Sequence, residues 1–164
     1  VPGVMLHPSM IYGAPDDRNV NRLLRLVRSA RILPLPNGGR NLVQPIFVDD
    51  MVAAFAAAAT QASAPGPSIV AAGPRPITYA AMVLACAAAQ DSPITIVPLP
   101  APLLRAGAGL AAAMGIGTPF SAAEIRRSTE DKSFDISALE SRLGVTPRSF
   151  EEGLRLKIER GWVA

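Results

Sequence analysis

The sequence predicts an α/β protein, and three observations carry that expectation. First, the run Val4-Met5-Leu6 has the composition of a strand buried on both faces, as in a parallel sheet, and Pro8 ends regular pairing where it turns polar. Second, residues 18 to 31 place Val20, Leu23, Leu24, Val27 and Ala30 at helical spacing on one face. Third, short extended stretches alternate with alanine-rich helical ones through the rest of the chain.

Each element has a local reason. Asp16 or Asp17 is placed to cap the helix from 18 by accepting from its free amides. Leu33 to Leu35 reads as a short extended piece, and Asn37-Gly38-Gly39 as a turn needing positive φ. The strand from Asn41 to Val48 carries Pro45 and is expected at an edge or bent. Asp49 and Asp50 precede a helix from Met51 to about Gln61, where they read as a cap plus favourable charge at a helix N-terminus rather than as a metal or acid/base pair. Residues 62 to 67 read as a linker and Ser68 to Ala72 as a strand. Thr78 caps a helix from Tyr79 to Ala89, and Ile94 to Val97 is a brief strand whose pairing the prolines at 98, 100 and 102 should end. Helices are expected at 103 to 114 and 121 to 129. Asp135 and Ser137 cap a short helix that Gly144 terminates, and Ser149 starts the last one with Glu151 and Glu152 in its first turn.

Composition narrows the classes. The 164 residues suffice for a real core, and the net charge of +3 comes almost entirely from scattered arginines. No concentrated basic stripe speaks for nucleic acid. A single cysteine, Cys86, excludes an internal disulfide and makes a reducing cytoplasm the default compartment. No apolar run reaches the roughly 18 residues of a membrane span, and no signal peptide is expected.

The segment Val4-Met5-Leu6-His7-Pro8-Ser9-Met10-Ile11-Tyr12-Gly13, followed by Gly38-Gly39-Arg40-Asn41-Leu42-Val43-Gln44-Pro45-Ile46-Phe47-Val48-Asp49-Asp50-Met51-Val52-Ala53, resembles the second half of the extended short-chain dehydrogenase/reductases, the NAD-dependent epimerase/dehydratase group. There, a strand reading roughly Leu-Arg-Pro-x-x-Val/Ile-Tyr-Gly follows the catalytic tyrosine and lysine, and a later segment of the form Val-x-Val-x-Asp opens a helix. Gly73-Pro74-Arg75-Pro76-Ile77-Thr78-Tyr79 and Leu143-Gly144-Val145-Thr146-Pro147-Arg148-Ser149-Phe150-Glu151-Glu152-Gly153-Leu154 continue the resemblance, which covers nearly the whole chain in four ordered pieces.

The resemblance implies late strands of a Rossmann-type parallel sheet plus a small, mostly helical substrate-binding lobe. Residues 1–13 would be the late strand and turn, 14–164 the substrate-side lobe, with the N-terminal cofactor-binding half absent from the chain. It implies NAD or NADP as cofactor of the full-length parent, none held tightly by this segment alone. Pro8, Ser9 and Met10 would face the nicotinamide end. Tyr12, Arg18, Asn21, Arg40 and Gln44 would lie on the side of a small-molecule substrate, with a nucleotide sugar as one candidate. The partners implied are the missing half and, as a further candidate, a second copy of the chain.

Several residues depart from the pattern. His7 stands where arginine is common, Met10 where sugar-nucleotide epimerases tend to have asparagine, and Val43 near the place of a diphosphate-binding arginine. Tyr12 and Tyr79 have Asp16 and Val83 four residues on, so no Tyr-x-x-x-Lys is present and no catalytic residue is assigned. The alternative is a non-catalytic nucleotide-binding or scaffolding protein of the same fold; an autonomous helical interaction domain is a third reading. Gly107-Ala108-Gly109-Leu110-Ala111-Ala112 matches a dinucleotide fingerprint in letters only, since no strand leads into it; small residues in a closely packed helix explain it better. His7 and Ser9, two apart on a strand, lack the elbow and oxyanion loop of a hydrolase.

Overall fold

A computed structural model describes residues 4–60, 68–115 and 130–163. In chain order the elements are β1 (Leu6–Pro8), β2 (Ile11–Tyr12), α1 (Arg18–Ser29), β3 (Ile32–Pro36), a 3-10 turn (Asn37–Gly39), β4 (Leu42–Val43), β5 (Ile46–Phe47), α2 (Val48–Thr60), β6 (Ile69–Ala71), β7 (Ile77–Thr78), α3 (Tyr79–Ala88), β8 (Thr95–Leu99), α4 (Ala101–Ala113), α5 (Ser137–Leu143) and α6 (Phe150–Glu159). The expected linker at 62 to 67 and helix at 121 to 129 lie outside the described residues.

The chain divides into two compact units. The first comprises Val1–Asn21, Val43–Pro76 and Ser133–Ala164, so the strand-and-turn piece 1–13 shares a body with segments far along the chain. Here β1 pairs with β6 in parallel, Leu6 opposite Ile69, His7 opposite Val70 and Pro8 opposite Ala71. Pro8 is the last residue of β1, but its missing N–H does not end the contact with β6. The amide of the next residue, Ser9, still donates to the Ala71 carbonyl at 2.9 Å. β2 pairs with β5, also in parallel. The expected strand from 41 to 48 is interrupted at Gln44-Pro45, and its second half supplies β5. Around these pairs Ile46, Met51, Ala54, Ile69, Leu139 and Leu143 form a continuous apolar core. Gly144 ends α5 at φ 65°, and the Ser149 hydroxyl accepts from the Glu152 amide at 3.2 Å to start α6. Asp135 does the work at the head of α5 by accepting from both the amide and the hydroxyl of Ser137, itself the first helical residue.

The second unit comprises Arg22–Leu42 and Ile77–Lys132. β3 and β8 pair in parallel over five residues, from Ile32 opposite Thr95 to Pro36 opposite Leu99. Pairing therefore continues through Pro98 and does not stop before it: proline lacks a donor but keeps its carbonyl, which serves on an edge. Asn37, Gly38 and Gly39 adopt φ of 50°, 70° and 69°, the positive values their composition predicts. Thr78 caps α3 by accepting from the Ala81 amide at 3.0 Å. Gly107 and Gly109 lie inside α4, and a Cβ at either would meet no described atom within 4 Å. They are not a dinucleotide loop. Nor are they held small by close packing against the described residues.

Candidate functional site

Residues just beyond the carboxyl ends of β1 and β6 define the candidate site in the first unit, the end of parallel strands at which α/β proteins meet ligands. Ser9 follows Pro8 out of β1 and its hydroxyl donates to the Gln44 carbonyl oxygen at 2.6 Å. The Gly73 amide donates to that same oxygen at 3.4 Å. The Gln44 side chain, buried, donates to the carbonyls of Gly73 (2.7 Å) and Phe134 (3.2 Å) and accepts from the Phe134 amide at 2.7 Å. One side chain thus joins the ends of three separate segments. A Cβ at Gly73 would collide with the Pro45 carbonyl, which is why that corner is glycine.

Tyr12 is 1 % exposed. Its hydroxyl points at the carbonyls of Ser149 (3.4 Å) and Phe150 (3.2 Å), and its ring packs against Phe47 and Phe150. Asn21 is buried and donates to the Pro15 carbonyl at 2.8 Å. Its Oδ1 is buried without a hydrogen-bond partner among the described residues. Arg18 begins α1 and is exposed. Asp17 is the cap of that helix, accepting from Asn19 (2.8 Å) and Val20 (3.2 Å) through Oδ1 and from Gly13 (3.3 Å) through Oδ2. Pro8 is exposed, Met10 is half-buried, and the Met10 carbonyl accepts from the Ile46 amide at 3.0 Å. Arg40 belongs to the second unit, where it is exposed directly after the 3-10 turn. Among the site residues expected from the sequence, the first unit therefore gathers Ser9 and Gln44 in direct contact. Tyr12, Asn21 and Gln44 turn their polar groups inward, while Pro8 and Arg18 face outward. The Ser9 hydroxyl is engaged by Gln44, not by His7, which is exposed.

No protein-family profile matches the chain, and no curated protein matches it. Solved structures do. The gox2253 crystal structure superposes with a TM-score of 0.70 at 16 % identity, over 98 % of this chain and 50 % of that one. The epimerase Mth375 from Methanothermobacter thermautotrophicus gives 0.67 at 18 % identity, over 99 % and 44 %. The UDP-glucuronic acid 4-epimerase from Bacillus cereus, in complex with UDP-glucuronic acid and NAD, gives 0.64 at 17 % identity, over 97 % and 45 %. The chain has the fold of the carboxyl-terminal portion of Rossmann-type epimerases. It spans about half the length of the structures it matches.

The segment 8 to 10 leaves the end of a parallel strand. Among the described residues a glycine turn between a strand and a helix N-terminus occurs at Gly13, between β2 and α1, but it holds a single glycine, and the Asp17 carboxylate already engages the amides of Gly13, Asn19 and Val20 where a pyrophosphate would need free donors. No group of three or more His, Cys, Asp or Glu suited to a metal ion occurs among the described residues.

Two features escaped the sequence reading. α2 begins at Val48, so Asp49 and Asp50 lie inside its first turn rather than ahead of it as a cap, and they serve more than its dipole. Asp49 pairs with both guanidinium nitrogens of Arg160 at 3.1 and 2.6 Å and with Arg148 at 3.5 Å. Asp50 accepts from the Arg148 amide at 3.0 Å and forms an ion pair with its guanidinium at 3.1 Å. Both guanidiniums stand over the Phe47 ring, and that of Arg160 also over Trp162. The hydrogen bond from Arg160 leads the causes that hold the Asp49 carboxyl below its ordinary range, whereas burial pushes that of Asp50 up against the pull of Arg148. The second feature is Lys157, whose side chain is fully buried in α6. Its Nζ donates to the Ala14 carbonyl at 2.7 Å and lies 4.0 Å from Asp17 Oδ2. One signal was there to read: Phe150, Gly153, Leu154 and Lys157 fall at i, i+3, i+4 and i+7, the buried face of α6.

Proposed function

We propose that the chain is the substrate-binding carboxyl-terminal portion of an NAD(P)-dependent epimerase, dehydratase or reductase acting on a small molecule, with a nucleotide sugar as the leading substrate class. The observation that carries this reading is that 97 to 99 % of the chain superposes on 44 to 45 % of two epimerase structures, one of which holds UDP-glucuronic acid and NAD. In this reading Pro8, Ser9 and Met10 form the rim toward the nicotinamide. Arg18 is the outward cation available to a phosphate, matching its oxygens with a planar fork. Tyr12, Asn21 and Gln44 hold that rim in place from below, and Arg40 is a separate substrate candidate in its own unit. The cofactor loop and the catalytic tyrosine and lysine come from a further stretch of polypeptide, so this chain alone transfers no hydride. The lone thiol and the absence, among the described residues, of a helix long and apolar enough to cross a membrane accord with a cytoplasmic protein.

The test is calorimetric titration of the chain with UDP and UDP-glucuronic acid, alongside a hydride-transfer assay with NAD and NADP. Measurable nucleotide binding that Arg18→Ala weakens, without turnover, is the expected result. Tight NAD binding with turnover by this polypeptide alone would overturn the division of labour. A folded chain that binds neither ligand would favour the second reading, a scaffolding relative of the same fold, to which the inward-turned Tyr12, Asn21 and Gln44 already lend weight. Intact mass of the protein from its source checks the partner half: about a hundred or more further residues are expected.

A further inference from the structure

We propose that Lys157 is a positioning residue: from the buried face of α6 it sets the Gly13–Asp17 turn that presents Arg18, and so couples the last helix to ligand binding. The second half of this inference rests on the role given to Arg18 above; the first half stands without it.

The turn is short and its geometry is over-determined. Gly13 has φ 106°, a conformation that side-chain-bearing residues rarely adopt. Asp17 folds the turn back on itself, with Oδ2 on the Gly13 amide and its own amide on the Ala14 carbonyl at 3.2 Å. Through Oδ1 the same carboxylate caps α1. Lys157 Nζ reaches both fixed points at once, the Ala14 carbonyl and the Asp17 carboxylate. Its ammonium thus joins a helix about 140 residues away in sequence to the residue immediately before Arg18.

Stability alone does not account for a lysine here. Stripping water from two charges is costly, and replacing a buried ion pair as a whole by apolar side chains of similar volume is often neutral or stabilising, so a buried Lys157–Asp17 pair is weak evidence of a purely stabilising role. What apolar side chains lack is the ability to fix the Ala14 carbonyl and the Asp17 carboxylate in one arrangement. Burial pushes the ammonium's pKa down, and Asp17, followed by Asp16, pulls it back.

The experiment compares wild type, Lys157→Met, Asp17→Asn, Arg18→Ala and the Lys157→Met/Arg18→Ala double variant. Native-state amide exchange is read at Asn19 and Val20, and UDP affinity by calorimetry. Exchange at those two amides should rise about tenfold in Lys157→Met, the size expected when a charge-assisted contact behind the cap is lost, while amides elsewhere in α6 do not change. UDP affinity should fall about tenfold in Lys157→Met, and the double variant should be no weaker than Arg18→Ala alone. Unchanged exchange at Asn19 and Val20, or fully additive losses in the double variant, would overturn the proposal. Should Lys157→Met not fold, Asp17→Asn retains the capping oxygen while removing the ion pair, and the same two readings decide. If wild type binds no UDP, the functional reading fails; the exchange data still settle whether Lys157 sets the turn.

Discussion

The hydroxyl of Tyr12 donates to the Phe150 carbonyl at 3.2 Å while the two rings lie 4.9 Å apart, so a residue of β2 is clasped at both its polar tip and its apolar face by the start of α6. Tyr12→Phe keeps the rings and removes the hydrogen bond, and should cost about 1 kcal/mol. Tyr12→Ala also empties the ring's space and should cost about 3–5 kcal/mol. Urea unfolding followed by far-UV circular dichroism reads both. A Tyr12→Phe variant as unstable as Tyr12→Ala would contradict this account.

Gly153 sits beneath the same ring. A Cβ there would collide with the Tyr12 hydroxyl and come within 2.9 Å of Phe47 Cδ2. Alanine is ordinarily favoured over glycine in a helix interior by up to about 1 kcal/mol. Here overpacking outweighs that preference, and Gly153→Ala should destabilise by about 1–3 kcal/mol. Exposed Ala112 in α4 offers the control, since Ala112→Gly should show the ordinary helix penalty only.

Gln44→Leu should be among the costlier substitutions in the first unit. It leaves the Phe134 amide and the Gly73 carbonyl without the partners that the glutamine supplies. Each orphaned buried group costs about 1–3 kcal/mol, so a loss above about 2 kcal/mol in urea unfolding is expected. Gln44→Glu should recover the bond from the Phe134 amide but not those to the carbonyls.

The two aspartates at the head of α2 should respond to acid with opposite signs. Asp49 has a folded pKa below its ordinary 3.8, so the stability it contributes is present above 3.8 and lost as pH falls through the folded value. The pair is partly exposed, and Asp49→Asn should cost only about 0.5–1 kcal/mol at neutral pH. Asp50 has a raised folded pKa, so its ionisation in the fold is unfavourable relative to the unfolded chain, and stability falls as pH rises from 3.8 through that value. Unfolding midpoints from pH 7 to 3 should therefore flatten at the acid end in Asp49→Asn. In Asp50→Asn the opposing slope should vanish.

Lys157 predicts a slope at the alkaline end. Its folded pKa lies below the ordinary 10.5, so between the two values the unfolded chain holds more protons than the folded one, and stability rises with pH. The cost of burying the ammonium is fully present below the folded value and relieved across that window. Lys157→Met should abolish the slope in unfolding measured up to pH 10.5.

Local chemistry was legible in the sequence, and distant chemistry was not. Asp17, Thr78, Gly144 and Ser149 act within four residues of themselves, so their roles as caps and stops could be read directly. A parallel strand was legible beside the run Val4-Met5-Leu6, but the expected burial on both faces was not met: only Leu6 of the three lies in β1, it is half-buried, and Met5 is 64 % exposed. Asp49 and Asp50 were read as helix-end charges because Arg148 and Arg160 lie about a hundred residues on, beyond any spacing rule. Tyr12, Asn21 and Gln44 were read toward a ligand because polar residues after a strand can turn either way. Burial and the carbonyls of Phe150, Pro15 and Gly73 decide that they turn inward.

The first unit is stitched from three lengths of chain, and its parallel pairing of Leu6 with Ile69 is completed by packing from Leu139 and Leu143. Such closure over long separations is slow, because the entropy of bringing remote segments together is lost before their contacts form. During synthesis the β1–β6 pair lacks the packing of α5 until that helix has left the ribosome, whereas β3 and β8 of the second unit find each other earlier. A nascent chain arrested before Ser137 should accordingly be protected from protease in the second unit and cut readily in the first.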